Sequence, residues 1–428
     1  MAAVVVVAAL AAIPPVVAAP FQLVDRWQTL TAVPEATEAY NDAIAALNAG
    51  RFDEAREAMR ASAALAPQAL EPTLGLAEVA LRRGEFDEVE THLARAVEIA
   101  PRRAESHLAM GRWRFARGDV TAAVAALEKA SGLAPNNARV HLDLGDARLS
   151  GAADAAGAEA AYRRALALEP EHAGARYALG QALLAQGRAE AAETEFARAA
   201  ALDPENPLVK LALARALLAT GDTADARPVY DDLIARQPDL VPARMGRARA
   251  LSALGDRAAA RADLEAVVAA HPEVAAAWLA LGMLHHSDGR LDAAADAYAQ
   301  VTRRAPDDAL AWNNLAFVIA EQGGDLDAAL DAARRAEALS DGAPAALDTL
   351  ARVHRARGEF DAALRMLERA LAARPEHAAY HLHHGRVLEA LGRIDDARSA
   401  YRRALETASP DSEVEVESRG RLARVDAR

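Results

Sequence analysis

The sequence predicts an all-α protein built as a solenoid of stacked helix-turn-helix units. Three observations carry that prediction. A proline recurs every 34 residues, at Pro67, Pro101 and Pro135 and again at Pro170, Pro204, Pro238, Pro272 and Pro306, and Pro375 closes a later unit. Only the step from Pro135 to Pro170 in this series is longer, by one residue. A fixed period of this length marks a repeat architecture. Each period holds two apolar stripes at helical spacing, split by a glycine. Composition favours close helix packing as well: hydrophobic residues make up 52% of the 428 residues but aromatics only 4%, so alanine supplies much of the apolar content.

Composition also excludes several classes. With no cysteine there is no disulfide framework, thiolate metal site or cysteine nucleophile. A formal charge of −13 opposes nucleic acid as a partner, because binding the phosphate backbone needs a basic surface. Lysine occurs only at Lys129 and Lys210, so nearly every cation is arginine. A GC-rich genome accounts for that bias; a demand for bidentate anion contacts is the functional alternative.

The first element is residues 1–24. From Ala2 to Val24 no residue is charged, a stretch long enough to span a bilayer as a helix, although Pro14 and Pro15 interrupt it. Val17-Ala18-Ala19 offers a small-residue cleavage site, so a secretory signal peptide is the rival reading, weakened by the lack of Lys or Arg before the apolar run. An apolar helix covering the first repeat is the third. Membrane attachment through residues 2–24 is the expectation, with the repeats anchored or exported on the periplasmic or extracytoplasmic side rather than cytoplasmic. Residues 25–35 read as a linker.

Residues 36–410 hold about eleven units. In residues 104–137, His107, Met110, Gly111 and Phe115 lie on one helical face. Gly118-Asp119 ends that helix, Ala123, Leu127 and Ala130 mark a second, and Pro135 stops it. The next unit repeats the pattern with His141, Leu144, Gly145, Ala158, Tyr162, Ala165 and Pro170. Three departures stand out: one extra residue between Gly151 and Gly157, a doubled Gly323-Gly324 turn, and Ser340-Asp341-Gly342 where a proline is due. Each reads as loop drift or as a local change of pitch. Residues 411–428 carry alternating charge and read as a polar capping helix or a tail.

The units resemble the tetratricopeptide repeat. The residues that carry the likeness are Trp278, Leu281-Gly282, Gly289, Ala294, Tyr298 and Pro306; a second set is Leu350-Ala351, Gly358, Phe360, Ala363, Leu367, Ala370 and Pro375; a third is Leu179-Gly180, Gly187, Ala192, Phe196, Ala199 and Pro204. The resemblance implies a right-handed superhelix whose first helices line a concave groove for peptides or extended protein segments. It implies that the ninth position of each first helix faces the groove. Arginine holds that position at Arg112, Arg215, Arg249, Arg352 and Arg386, and the other occupants include Glu78, Asp146, Gln181, Met283 and Phe317, with Leu149, Leu184 and Leu218 nearby. The expected partner is a protein or peptide, acidic in character. Some members grip acidic tails with lysines and asparagines; Asn313 and Asn314 stand near such positions, and Asn314 is taken as a candidate, but the lysines are missing. Trp312-Asn-Asn-Leu-Ala followed by Leu347-Asp-Thr-Leu-Ala looks like tandem units of bacterial envelope proteins that assist assembly of membrane machinery.

No catalytic constellation emerges. There is no phosphate loop and no G-x-S-x-G, and the carboxylates sit beside arginines at helical spacing as surface support. His381 and His384 share a helical face while His383 points elsewhere, so the three read as packing residues rather than metal ligands. The expectation is a non-enzymatic scaffold with no cofactor and no metal; the alternative is a regulatory subunit that positions a separate catalytic partner.

Overall fold

The proline beat sets where each helical pair begins. In the computed structural model, residues 33–151 and 153–427 are described. Residues 1–24 and most of the 25–35 linker lie outside them; the last two linker residues, 34 and 35, are already helical.

Among the described residues there are 23 helices and no strand. They are α1 (Pro34–Asn48), α2 (Phe52–Leu65), α3 (Leu70–Arg83), α4 (Phe86–Ile99), α5 (Ala104–Ala116), α6 (Val120–Leu133), α7 (Ala138–Ser150), α8 (Ala155–Leu168), α9 (Ala173–Ala185), α10 (Ala189–Leu202), α11 (Pro207–Thr220), α12 (Thr223–Arg236), α13 (Val241–Ala253), α14 (Arg257–Ala270), α15 (Ala275–Ser287), α16 (Leu291–Arg304), α17 (Ala309–Gln322), α18 (Leu326–Leu339), α19 (Pro344–Ala356), α20 (Phe360–Ala373), α21 (Ala378–Ala390), α22 (Ile394–Thr407) and α23 (Glu413–Asp426). Odd-numbered helices open the units and even-numbered ones close them, so α23 is a first helix without a second. The chain divides into two compact units, the first ending at Val229 and the second beginning at Tyr230.

Local chemistry places the helix starts. Asp119, Asp154 and Asp256 each cap a second helix by accepting from the backbone N–H three residues on. The mid-unit glycine takes the left-handed conformation that ends a first helix, as at Gly289 with φ 69.

A second device, seen at seven of the first helices, ties a unit to the one before. The fourth residue of the first helix donates to the carbonyl of the proline six residues earlier. His107 reaches Pro101 at 2.9 Å, His141 reaches Pro135 at 3.0 Å and Arg176 reaches Pro170 at 2.8 Å. In the second unit Arg244 reaches Pro238 at 2.7 Å, Trp278 reaches Pro272 at 3.0 Å, Trp312 reaches Pro306 at 2.9 Å and His381 reaches Pro375 at 2.7 Å. These carbonyls follow a helix end and have no helical partner, so a side-chain donor satisfies them. Histidine, arginine and tryptophan serve equally because each offers a ring or guanidinium N–H.

The core lies between the paired helices. In the first unit Tyr162 and Phe196 are buried with Leu179 and Leu183; in the second, Leu367, Leu382, Val387 and Tyr401 form an equivalent cluster with Val425 of α23. Small residues make room for the large ones. A Cβ at Gly282 would stand 2.7 Å from the Tyr298 ring, and Gly145, Gly180 and Gly385 face Tyr162, Phe196 and Tyr401 in the same way. At Tyr230 the space comes instead from the following unit, where a Cβ on Gly246 would come within 2.3 Å of the ring.

The departures from register have distinct outcomes. Ala153 takes a positive φ of 51° in the lengthened turn, and α7 and α8 keep ordinary lengths on either side. Gly323 ends α17 in the left-handed conformation and Asp325 caps α18, so that extra residue also stays in the turn. The third departure changes packing. Asp341 and Gly342 take φ of 51° and 70°, and α17 packs on α19 more extensively than any other successive first helices among the described residues. The fourth residue of α19 is Leu347, which offers no N–H or O–H to bond with.

Candidate functional site

The ninth residue of each first helix was expected to face a binding groove, and the structure divides these residues into two kinds. In the first unit most are met internally. Glu78 of α3 accepts from Arg82 at 2.8 Å and is 2% exposed. Arg112 of α5 is buried, its Nε 2.5 Å from Asp143, which also accepts from Arg139 at 3.0 Å. Asp146 of α7 accepts from the Tyr162 hydroxyl at 2.7 Å. Gln181 of α9 donates to the Tyr177 hydroxyl at 2.8 Å. Arg215 of α11 differs: it is exposed, and no side chain among the described residues pairs with it. Arg112 is therefore part of the scaffold between α5 and α7, whereas Arg215 is presented to solvent.

In the second unit the row is more open. Arg249 of α13 is exposed and has no side-chain partner among the described residues. Met283 of α15 is 52% exposed, a large apolar side chain in water. Phe317 of α17 carries the guanidinium of Arg352 of α19 over its ring at 4.0 Å, and the His286 ring lies 5.2 Å away on its other neighbour, α15. Among the described residues no carboxylate comes within ion-pair distance of Arg352. Arg386 of α21 is held by Glu417 of α23, with Nε to Oε1 at 2.9 Å and a second contact from the other guanidinium nitrogen. Asn314 does not join the row. It is half-buried beside Tyr298 and accepts from Asn313 at 3.5 Å, while Asn313 keeps its own carbonyl oxygen buried and unpartnered.

Arg355, one turn beyond Arg352, was not singled out by the ninth-position rule. It is half-buried and makes no ion pair among the described residues; its charged form is disfavoured by burial first and then by Arg386, Arg352 and Arg421, with Glu417 opposing. Burial likewise disfavours the charged form of Arg352, with Asp348 and Glu321 opposing. The signal in the sequence was Arg352-x-x-Arg355, which puts two cations on one helical face. Glu417 was missed because only the docking of α23 brings it to Arg386. Burial alone would raise the Glu417 carboxyl; hydrogen bonds from Arg386 and Arg421 more than offset that and hold it down at about 2.

The histidines serve structure. His383 and Asp348 meet at 2.6 Å and join α21 to α19, and His354 meets Glu359 at 2.6 Å. Burial pushes His384 down to about 4. Among the described residues no three ligating side chains converge on a metal position, and no helix is long and apolar enough to cross a membrane.

Stacked helical pairs with a shared small-to-large packing rule and a row of presented first-helix residues define a repeat protein of the interaction-scaffold class. The chain belongs to the tetratricopeptide repeat family, whose matches cover residues 38–112, 108–154, 148–207, 195–252, 245–309, 288–344 and 349–413. Several solved structures are similar to it over much of its length. Yeast Tom70 is 14% identical over 92% of this chain and 96% of its own, with a TM-score of 0.42. A subunit of the APC/C Cut9–Hcn1 hetero-tetramer is 14% identical over the same shares, with a TM-score of 0.43. A tetratricopeptide repeat protein from Parabacteroides merdae is 15% identical over 60% of this chain and 99% of its own, with a TM-score of 0.47. No curated protein matches the chain.

Proposed function

We propose that this protein is a non-enzymatic scaffold that binds an extended, acidic segment of a partner protein along the first-helix face. The observation that carries the reading is the contrast within the ninth-position row. Glu78, Arg112, Asp146 and Gln181 are satisfied by neighbours, while among the described residues Arg215 and Arg249 meet no side-chain partner, Met283 stands exposed, and Arg352 meets the Phe317 ring but no acid within ion-pair distance. Within the second unit, arginines without a contacting acid and a solvent-exposed methionine, all at the ninth position of first helices, suit a ligand that brings carboxylates and an apolar side chain. Reversing two presented charges, Arg215→Glu with Arg249→Glu, tests it. Partners crosslinked in the native cell and identified by mass spectrometry are expected to be lost. Capture of the same partners at the same yield would sink the acidic-segment reading.

Residues 2–24 are proposed to attach the chain to a membrane, with the repeats outside the cytoplasm in the service of an envelope assembly. The support is the uncharged run and the likeness of the 312–316 and 347–351 segments to tandem units of envelope proteins. Protease added to intact spheroplasts should degrade the repeats; full protection would contradict the placement.

A further inference from the structure

On an acidic chain, the second unit gathers four arginines at one place: Arg352 and Arg355 of α19, Arg386 of α21 and Arg421 of α23. Two of the four have acids. Glu417 serves both Arg386 and Arg421, and Glu389 also accepts from Arg421 at 3.3 Å. Arg352 and Arg355, both half-buried, make no salt bridge or hydrogen bond to an acid among the described residues; Glu417 acts on both, and Asp348 and Glu321 on Arg352, only from farther off. Burying a cation with no counter-charge in contact is costly, and placing it among like charges adds to the cost. The fold nonetheless maintains the arrangement. The turn at Asp341-Gly342 leads into α19 as it packs close to α17, and that packing lays Arg352 over Phe317.

A continuous strip leads to the pair. Met283 and His286 share a face of α15 one turn apart, His286 touches Phe317, Phe317 lies under Arg352, and Arg355 follows one turn on. We propose that Arg352 and Arg355 form an anion subsite for adjacent carboxylates of an extended partner segment, whose apolar side chain rests on Met283. The proposal depends on the first-helix face being the binding face, and it adds where on that face the acids go and what precedes or follows them. The Arg386–Glu417 pair already displays the bidentate mode an incoming carboxylate would adopt. The strip crosses three first helices. At about 8–10 Å between packed helices it is about 16–20 Å long, which an extended chain covers in about five or six residues at ~3.3 Å each.

A randomised, unphosphorylated peptide library panned on the immobilised full chain tests this. The wild type should retain peptides that pair an apolar residue with Asp or Glu about five positions away. Arg352→Gln with Arg355→Gln should abolish the acidic enrichment and weaken a selected peptide at least about tenfold, the scale of one lost charge-assisted contact. Met283→Glu should abolish retention. Acid-rich peptides held equally by wild type and the arginine double variant would overturn the subsite while leaving the binding face standing. No retention by the wild type, or retention untouched by Met283→Glu, would overturn the face itself. Folding is monitored with Arg355→Gln alone, expected to melt at an unchanged or higher temperature because a repelled, desolvated charge is removed. A lower melting temperature would contradict the claim that Arg355 is held without a structural partner.

Discussion

Burial raises the carboxyl of Asp146 from 3.8 to about 6; the Tyr162 hydroxyl and Arg139 oppose the rise and Asp143 adds to it. A carboxyl raised on folding contributes stability that is complete below its unfolded value, near 4, and lost as pH climbs through about 6. Asp146→Asn keeps an acceptor for Tyr162 and removes that loss. At pH 7 it should stabilise the first unit by about 1–3 kcal/mol, with no gain below pH ~4; denaturant unfolding at the two pH values checks it, and an equal effect at both would contradict the burial argument. At the same scale, the repeat register marks His107, His141 and His381 as packing positions. It does not say that they reach a proline carbonyl, since that depends on the direction each side chain takes from its helix. Nor does it distinguish Arg112, buried against Asp143, from Arg215, presented to water. The pairing comes from a residue on the next first helix, where the sequence shows only an aspartate among many.

Among the elements, α23 binds through its charges as well as its apolar side chains. Glu417 lies at about 2 against an ordinary 4.5, so its contribution is present above about 4.5 and lost as pH falls through about 2. Glu417→Gln should therefore loosen α23 at neutral pH by about 1–3 kcal/mol, discounted for its partial exposure. Amide hydrogen exchange over residues 413–426 reads this directly: protection should fall in the variant, and unchanged protection would show that Val425 and its apolar neighbours suffice. The helical pairs themselves were legible, because period, glycine turn and proline stop agree at most units. The consequence of the 340–342 departure was not. The missing proline is plain in the sequence, but the approach of α17 to α19 is a matter of packing.

Across the whole molecule, a formal charge of −13 and a local gathering of arginines coexist, and only the fold separates the cations that are spent on scaffold from those left over. The ninth-position rule names a row of candidates; among the described residues burial and pairing thin it to Arg215, Arg249, Met283 and Arg352 and add Arg355. The central claim is that partners meet the first helices. A photo-crosslinking amino acid placed at Met283 on α15, and in a separate variant at exposed Asp296 on α16, tests it in the native cell. A covalent partner adduct is expected from position 283 and none from 296; adducts from 296 alone, or equally from both, would show that partners do not select the first helices.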